Sequence, residues 1–384
     1  MSRIEGQHMA SLSKVLIVGG GFSGMSAAIQ LRKQNIEVDL VEIDAGWRSY
    51  GAGITINGAT LRAFGTIGIL PRIQAEGCCT DGVDLFTAEG HKIAELPTPR
   101  LAGPDVPGGA GIMRPVLARI LADATRASGT LVRLGCTFES IHLSHDSVEV
   151  CCTDGRRSRY ELLIGADGLF SKVRQALWPA QAPKPRYTGQ GVWRAVMRRS
   201  DEVRRTAMYM GGRTKAGVNP VSRDEMYLFL TEFRPTNDIV SDHELVPALD
   251  ALLAEFSAPV LRNARAQLGS GSLIVYRPLE ALLMPEPWFK DRAVLIGDAA
   301  HATTPHLAAG AGLGVEDAIV LAEELDAADT IDSGLSRFQR RRFERARMVV
   351  HNSLRLGEIE ATGGSQREHA DIMRASMAAL AQPI

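Results

Sequence analysis

Three short strings in this 384-residue chain hold residues suited to gripping phosphate and hydroxyl groups. Gly19-Gly20-Gly21-Phe22-Ser23-Gly24 follows the apolar run KVLIV, Gly165-Ala166-Asp167-Gly168 follows ELLI, and Gly297-Asp298 follows AVLI. In the first string Gly19 permits a tight turn, Gly21 lets a pyrophosphate approach the backbone, and Gly24 lets a helix pack closely on a strand. A helix beginning there aims free N–H groups and the positive end of its dipole at the phosphates. Glu42 ends the next apolar run, where a carboxylate accepts hydrogen bonds from a ribose; an acid at that place argues against a 2′-phosphate. Asp298, at the mouth of a buried strand, is placed to bind a ribityl or ribose hydroxyl. The stretch from Pro305, PHLAAGAGLGVEDA, then gives a glycine-rich entry to a helix, whose N-terminus stabilises negative charge. Each string alone reads equally well as an ordinary turn. Together, each closing an expected strand, they imply one extended cofactor held from three parts of the chain, and FAD fits best.

The elements that must position these turns are visible as patterns. KVLIVG, a helix over MSAAIQLRKQN and the strand EVDLVE make a β-turn-α-β unit of about 30 residues, the length of a dinucleotide half-site. YELLIG and RAVLIG read as further buried strands, Arg114 to Arg126 as a helix with Pro115 in its first turn, and Ser171 as the cap of a short helix. LVRLGCTFESI and DSVEVCCTDG read as hairpin strands. From 187 to 278 the pattern changes to GVWRAVMRR, TAMYMGG, KAGVNPVS and EMYLFLTEF, an antiparallel sheet with a helix at HELVPALDALLAEF. The expected class is α/β: a Rossmann-like FAD-binding domain (12–76, 110–178 and 279–330) interleaved with a smaller antiparallel-sheet substrate domain (77–109 and 179–278). A C-terminal helical segment (331–384) follows, and residues 1–11 read as a vector-derived leader.

The motifs resemble those of the class A flavoprotein monooxygenases, the para-hydroxybenzoate hydroxylase fold. The resemblance rests on GGGFSG with Glu42, on GADGLFSKVR and on GDAAHATTPHLAAGAGLGVEDA, and covers nearly the whole chain after residue 12. It implies FAD held by Gly19, Gly21, Gly24, Glu42, Asp298, Pro305, Gly310, Gly312 and Leu313. It further implies that Arg114 contacts the cofactor, that Arg48 and Gly53 lie near the ribityl chain and flavin, and that Asp167 is linked to both FAD and NAD(P)H. No second glycine fingerprint occurs, which suits transient use of NAD(P)H. The implied activity is hydroxylation of a small aromatic or heteroaromatic substrate with O2 through a flavin C4a-hydroperoxide. One departure stands out: where many members carry a glutamine before the helix glycine and an asparagine two residues beyond it, this chain has Ala309 and Gly312.

A base that removes a phenolic proton would make the ring more nucleophilic. Tyr209 and Tyr227 on substrate-domain strands, and His306 after Pro305, are the candidates for substrate contact, against the plainer reading that they fill the core. Trp193 and Arg194 read either as holders of an acidic substrate or the flavin, or as strand residues. The alternatives are an FAD oxidoreductase without oxygen insertion and a non-catalytic flavin-binding protein. A net charge of -1 gives no global pull toward nucleic acid, and the run Arg340-Arg341-Arg342 with Arg345 and Arg347 reads as a solvated, partly packed helix. Five cysteines without a CxxC spacing predict neither a disulfide framework nor a metal site. A cytoplasmic monomer or homodimer without a membrane span is expected.

Overall fold

The computed structural model describes residues 12–49 and 51–384, so the leader reading lies outside the described residues. Its centre is a six-stranded sheet ordered Phe289–Lys290, Ala293–Leu295, Leu162–Gly165, Lys14–Val18, Glu37–Glu42, Leu131–Leu134. All its pairings are parallel except the one between the two C-terminal strands. A parallel sheet is covered on both faces, and these strands are continuous apolar runs for that reason: Val15, Leu16, Ile17, Leu162, Leu163 and Ile164 are fully buried. The register pairs Val15 with both Leu162 and Val38, so the glycine turn and the GADG turn emerge side by side.

The string LVRL joins this sheet as an edge strand, parallel to Glu37–Glu42, rather than forming a hairpin with its neighbour. The antiparallel strands Phe138–Leu143, Val148–Cys152 and Arg157–Tyr160 make a separate sheet beside it. Cys136, Cys152 and Asp154 bring ligand-type atoms within 4.8 Å of one another there. Arg133 sits among them, donating to Asp154 at 3.1 Å and to Cys152 at 3.5 Å, and supplies the cation itself.

A seven-stranded sheet runs Ile274–Ala281, Arg186–Arg198, Glu225–Phe233, Lys215–Pro220, Thr206–Met210, Val83–Thr87, Lys92–Leu96. Its one parallel pairing joins Thr206–Met210 to Val83–Thr87. Helices Asp242–Leu253 and Pro259–Ala266 cover one face, where Trp193, Ala195, Leu228, Leu230, Leu249 and Leu261 form a core. Period-two alternation sends Arg194, Val196, Tyr227 and Phe229 to the other face. That face meets a small sheet of Gly53–Asn57, Gly109–Met113 and Cys78–Thr80, and Ala52, Met113, Val196, Val221, Tyr227 and Phe229 pack together at the junction.

The helix Gly310–Asp326 and the long helix Ile331–Thr362 close the molecule, followed by Gln366–Ala381. Among the described residues no helix is long and apolar enough to cross a membrane.

Candidate functional site

The three turns meet. Gly19, at φ +107°, lies so near the second turn that an added Cβ would sit 2.5 Å from the Ala166 carbonyl oxygen, and the Ala166 N–H donates to Val18. Ser23, in the first turn of the helix Phe22–Lys33, occupies the space where a Cβ on Gly297 or Gly314 would lie. Three strand ends and two helix starts are therefore packed into one place. Gly21 differs from its neighbours: a Cβ there would find its nearest atom 4.0 Å away. Among the described residues nothing comes close enough to require glycine at that position, and its bare backbone faces a cleft of about 110 Å³ lined in part by Phe22, Glu42, Trp47, Arg48, Ser49 and Arg114. The helix behind it has no acidic residue in its first turn, so the dipole and free N–H groups are available to an anion. A pyrophosphate-bearing group fits this cradle.

Glu42 accepts from the Gly20 N–H at 2.7 Å and from the Asp44 N–H at 2.8 Å, which fixes the carboxylate at the cleft rim. Sequence reasoning missed Trp47, whose indole N–H donates to the Gly20 carbonyl at 2.8 Å while Arg126 lies 4.6 Å over its ring. Arg48 is exposed and paired with Asp44 at 3.0 Å.

Arg114 is the hub of the site. Its Nε donates to Ser49 at 3.2 Å, its guanidinium lies 4.7 Å over Phe22, and its side chain packs under Gly51. Burial, and then the like charge of Arg194, push its pKa down, while Asp298 and Tyr227 oppose that shift. Asp298 begins the short helix Asp298–His301 and is exposed, while Gly297, Ala299 and Ala300 around it are buried. Desolvation by the protein packed around it raises its pKa against the charges of His301 and Arg114. Tyr227 packs on Gly53 and accepts from Arg194 Nε at 3.2 Å.

Other candidates lie elsewhere. Tyr209 is a correction: it points to the helix-covered face, 3% exposed, stacked 5.1 Å from Phe86, its pKa pushed up to about 12 by burial. His306 is turned away from solvent, with Nδ1 2.8 Å from Thr304 Oγ1 and Nε2 3.4 Å from Glu360, in a buried group with Lys215 and His369. Burial pushes its pKa down against the pull of Glu360. Trp193 and Arg194 part company, Trp193 entering the helix-covered core against Tyr276 while Arg194 faces the junction. The Asp167 carboxylate caps the helix Lys172–Leu177, accepting from the Lys172 and Val173 N–H groups at 2.7 and 3.0 Å and from Ser171. Burial raises its pKa against these bonds.

Pro305 is exposed at the start of a turn, Gly310 begins the helix, and Leu313 is buried. The Ala309 and Gly312 departures have a physical counterpart. A side chain at Gly312 would run into Thr60, at the start of the helix Gly58–Ile67. Asn57, capping that helix, reaches the Ala308 carbonyl with its side-chain amide at 3.2 Å. A polar amide thus comes to this turn from a distant strand end, where no motif marks it.

His301 and the arginine run have a shared role. Asp317 accepts from the Gly297 N–H at 2.8 Å, from Arg342 Nε at 2.8 Å, and lies 2.5 Å from His301 Nε2. Burial favours the neutral acid, but the charges of His301 and Arg342 hold its pKa far below the ordinary carboxylate range. Arg345 grips Glu316 with two bonds, at 2.7 and 2.8 Å. Arg342 is wholly buried, so the reading of a solvated run holds for Arg340, Arg341 and Arg347 but not for Arg342.

Comparison with known proteins agrees with this architecture. Residues 13–353 match the FAD binding domain family. The chain is 33% identical over 357 residues to the aurachin C monooxygenase/isomerase of Stigmatella aurantiaca, covering 90% of this chain and 89% of that protein. It is 30% identical to the 2-heptyl-3-hydroxy-4(1H)-quinolone synthase of Pseudomonas aeruginosa, covering 90% and 89%. Klebsiella pneumoniae HpxO complexed with FAD and uric acid superposes with a TM-score of 0.82 at 22% identity, over 98% of this chain and 94% of that one, which speaks to the fold. A cleft built from three converging turns, in a chain matched by this family over most of its length, places the protein among the FAD-dependent monooxygenases of the para-hydroxybenzoate hydroxylase fold.

Proposed function

We propose that this enzyme uses NAD(P)H and O2 to hydroxylate a small aromatic or heteroaromatic substrate lying between the Arg114 cleft and the Tyr227 face of the seven-stranded sheet. The observation that carries the reading is the position of Arg114, close enough to Asp298 on one side and to Arg194 and Tyr227 on the other to feel the charge of each. The cofactor-facing and sheet-facing residues thus share one site. Gly21, Glu42, Arg114 and Asp298 hold FAD in this reading, and when bound it supplies hydride acceptance and oxygen activation. Tyr227 takes a hydrogen bond from Arg194 and keeps its own proton to donate to a substrate oxygen. Met113, Val196, Val221 and Phe229 make the surroundings apolar, which excludes water from the reacting ring.

The test is substrate-dependent NAD(P)H oxidation under 18O2 with a panel of aromatic acids and hydroxylated heterocycles. Label in the product is expected; an oxidised product without label means oxidation without oxygen insertion and removes the proposal. Asp298→Ala is expected to weaken FAD retention by about 1–3 kcal/mol, the cost of one lost buried hydrogen bond. Retention measured by gel filtration and flavin absorbance checks it, and unchanged retention removes Asp298 from the assigned set.

A further inference from the structure

The turn that follows Asp298 is shaped by residues from the far end of the chain. Pro305–Leu307 makes one tight turn, and Ala308 after it is held at φ +49°. That left-handed conformation costs a non-glycine residue free energy and persists where the surroundings over-determine it. The helix Gly310–Asp326 begins two residues later, and its Gly314 lies against Ser23, where the three cofactor turns meet. Whatever grips the turn therefore also aims the start of this helix.

The turn is gripped in three ways. Asn57 reaches the Ala308 carbonyl. Leu307, Ala309 and Leu313 pack with Val349 and Leu356 of the long helix and Leu380 of the last one. The third grip is ionic. His306 Nδ1 lies 2.8 Å from Thr304 Oγ1, and its Nε2 lies 3.4 Å from Glu360 of the long helix. Glu360 in turn takes Lys215 of the seven-stranded sheet at 2.5 Å and meets His369 of the last helix at 3.0 Å. The long helix makes room for this at Gly357, where a Cβ would fall 2.4 Å from Gln190 Oε1 and 2.9 Å from His306 Cε1.

One carboxylate thus ties together four elements remote in sequence, and the His306, Lys215 and Glu360 side chains are at most 10% exposed. Burial opposes ionisation of Glu360, but Lys215 and the two histidines hold its pKa well below the usual carboxylate range. A buried ion pair adds little stability over apolar groups of the same size, because desolvation consumes most of the Coulombic gain. A satisfied buried network does fix the relative position of its members. Glu360 and His369 lie past residue 353, where the match to the FAD binding domain family ends.

We infer that Glu360, together with Lys215, is a positioning residue for the cofactor site. Acting through His306, it holds the Thr304–Ala308 turn so that the N-terminus of the helix Gly310–Asp326 faces the negative charge that FAD gains on reduction. This rests on the proposed placement of FAD. A helix N-terminus favours an anion only within about its first turn, so a displaced turn weakens the hold on reduced FAD more than on oxidised FAD. The C-terminal helices thereby set the reduction potential as well as closing the molecule.

The experiment measures the midpoint potential of the FAD-loaded full chain by reductive titration against a reference dye, and the affinity of the apo protein for oxidised FAD. Glu360→Gln removes the charge and keeps the side-chain shape. Lys215→Met combined with Glu360→Gln makes both partners neutral, so that no lysine is left stranded. In both variants oxidised FAD is expected to bind within about threefold of wild type. Reduced FAD is expected to bind at least about tenfold more weakly, read as a potential about 30 mV more negative for the two-electron couple. A lower melting temperature with an unchanged potential, or equal weakening of both forms, makes the cluster a structural tie only and overturns the inference. Hydrogen exchange in the wild type gives a reading that stands even where a variant does not fold. The Leu307 and Ala308 amides are expected to open together with those of Ile359 to Ala361; a turn that opens independently of that helix end also overturns the inference. Unlabelled product under 18O2 alongside the shifted potential would instead sink the oxygenation reading and leave the positioning role standing.

Discussion

Replacing Arg342 by alanine is expected to lower folding stability by about 3–5 kcal/mol, the range seen when one partner of a buried ion pair is removed and the other is stranded. Arg342 is 0% exposed and donates to Asp317 at 2.8 Å and pairs with Glu316 at 3.0 Å. Without it, two buried acids depend on His301, the Gly297 N–H and Arg345. Chemical unfolding of the FAD-loaded protein measures the loss. Arg340→Ala, on the exposed side of the same helix, is the control and should stay within about 0.5 kcal/mol of wild type. Equal, small effects at both positions would mean that the Asp317 network contributes nothing to stability.

The same pair fixes a pH dependence. The folded-state pKa of Asp317 is depressed by His301 and Arg342, so its ionised form binds the fold more strongly than its protonated form. Its stabilisation is complete above the unfolded value of about 3.9 and is lost as pH falls from there through the folded value. Arg342→Ala should therefore flatten the acid limb of the stability profile. Asp317 also holds the Gly297 N–H, one residue from Asp298, so the variant should loosen FAD as well.

That link explains part of what the sequence could and could not disclose. The three turns were legible because each needs a local signature: glycine where backbones approach, an acid at a strand end, an apolar run before it. The arginine run carried no such signature. Its members differ only in which way they point from one helix, and the acids that bury Arg342 come from Glu316 and Asp317, 25 or so residues upstream. Tyr209 and Tyr227 posed the same difficulty in a strand. Both sit in alternating apolar segments, but cross-strand register and the helices Asp242–Leu253 and Pro259–Ala266 decide which face is core. Asn57 was invisible for a third reason: its side chain serves a turn some 250 residues away. Local chemistry was readable; partnerships made by tertiary packing were not.

Gly21→Val separates cofactor binding from folding at a single position. Space for a side chain exists there within the protein, and φ at -73° suits any L-residue. The apo protein should therefore melt near the wild-type temperature. FAD binding should weaken by more than about tenfold, or 1.4 kcal/mol, because the valine side chain fills the path by which a pyrophosphate reaches the helix N–H groups. Gly24→Val is the counterpart. Its Cβ would collide with the Gly19 carbonyl inside the turn, so it should destabilise the apo protein itself. Apo melting and flavin-fluorescence titration of both variants read the two effects apart. If Gly21→Val binds FAD as wild type does, the pyrophosphate lies elsewhere and the assignment of the cleft around Phe22, Glu42 and Arg114 falls with it, since those residues were joined to the cofactor through the open backbone at Gly21.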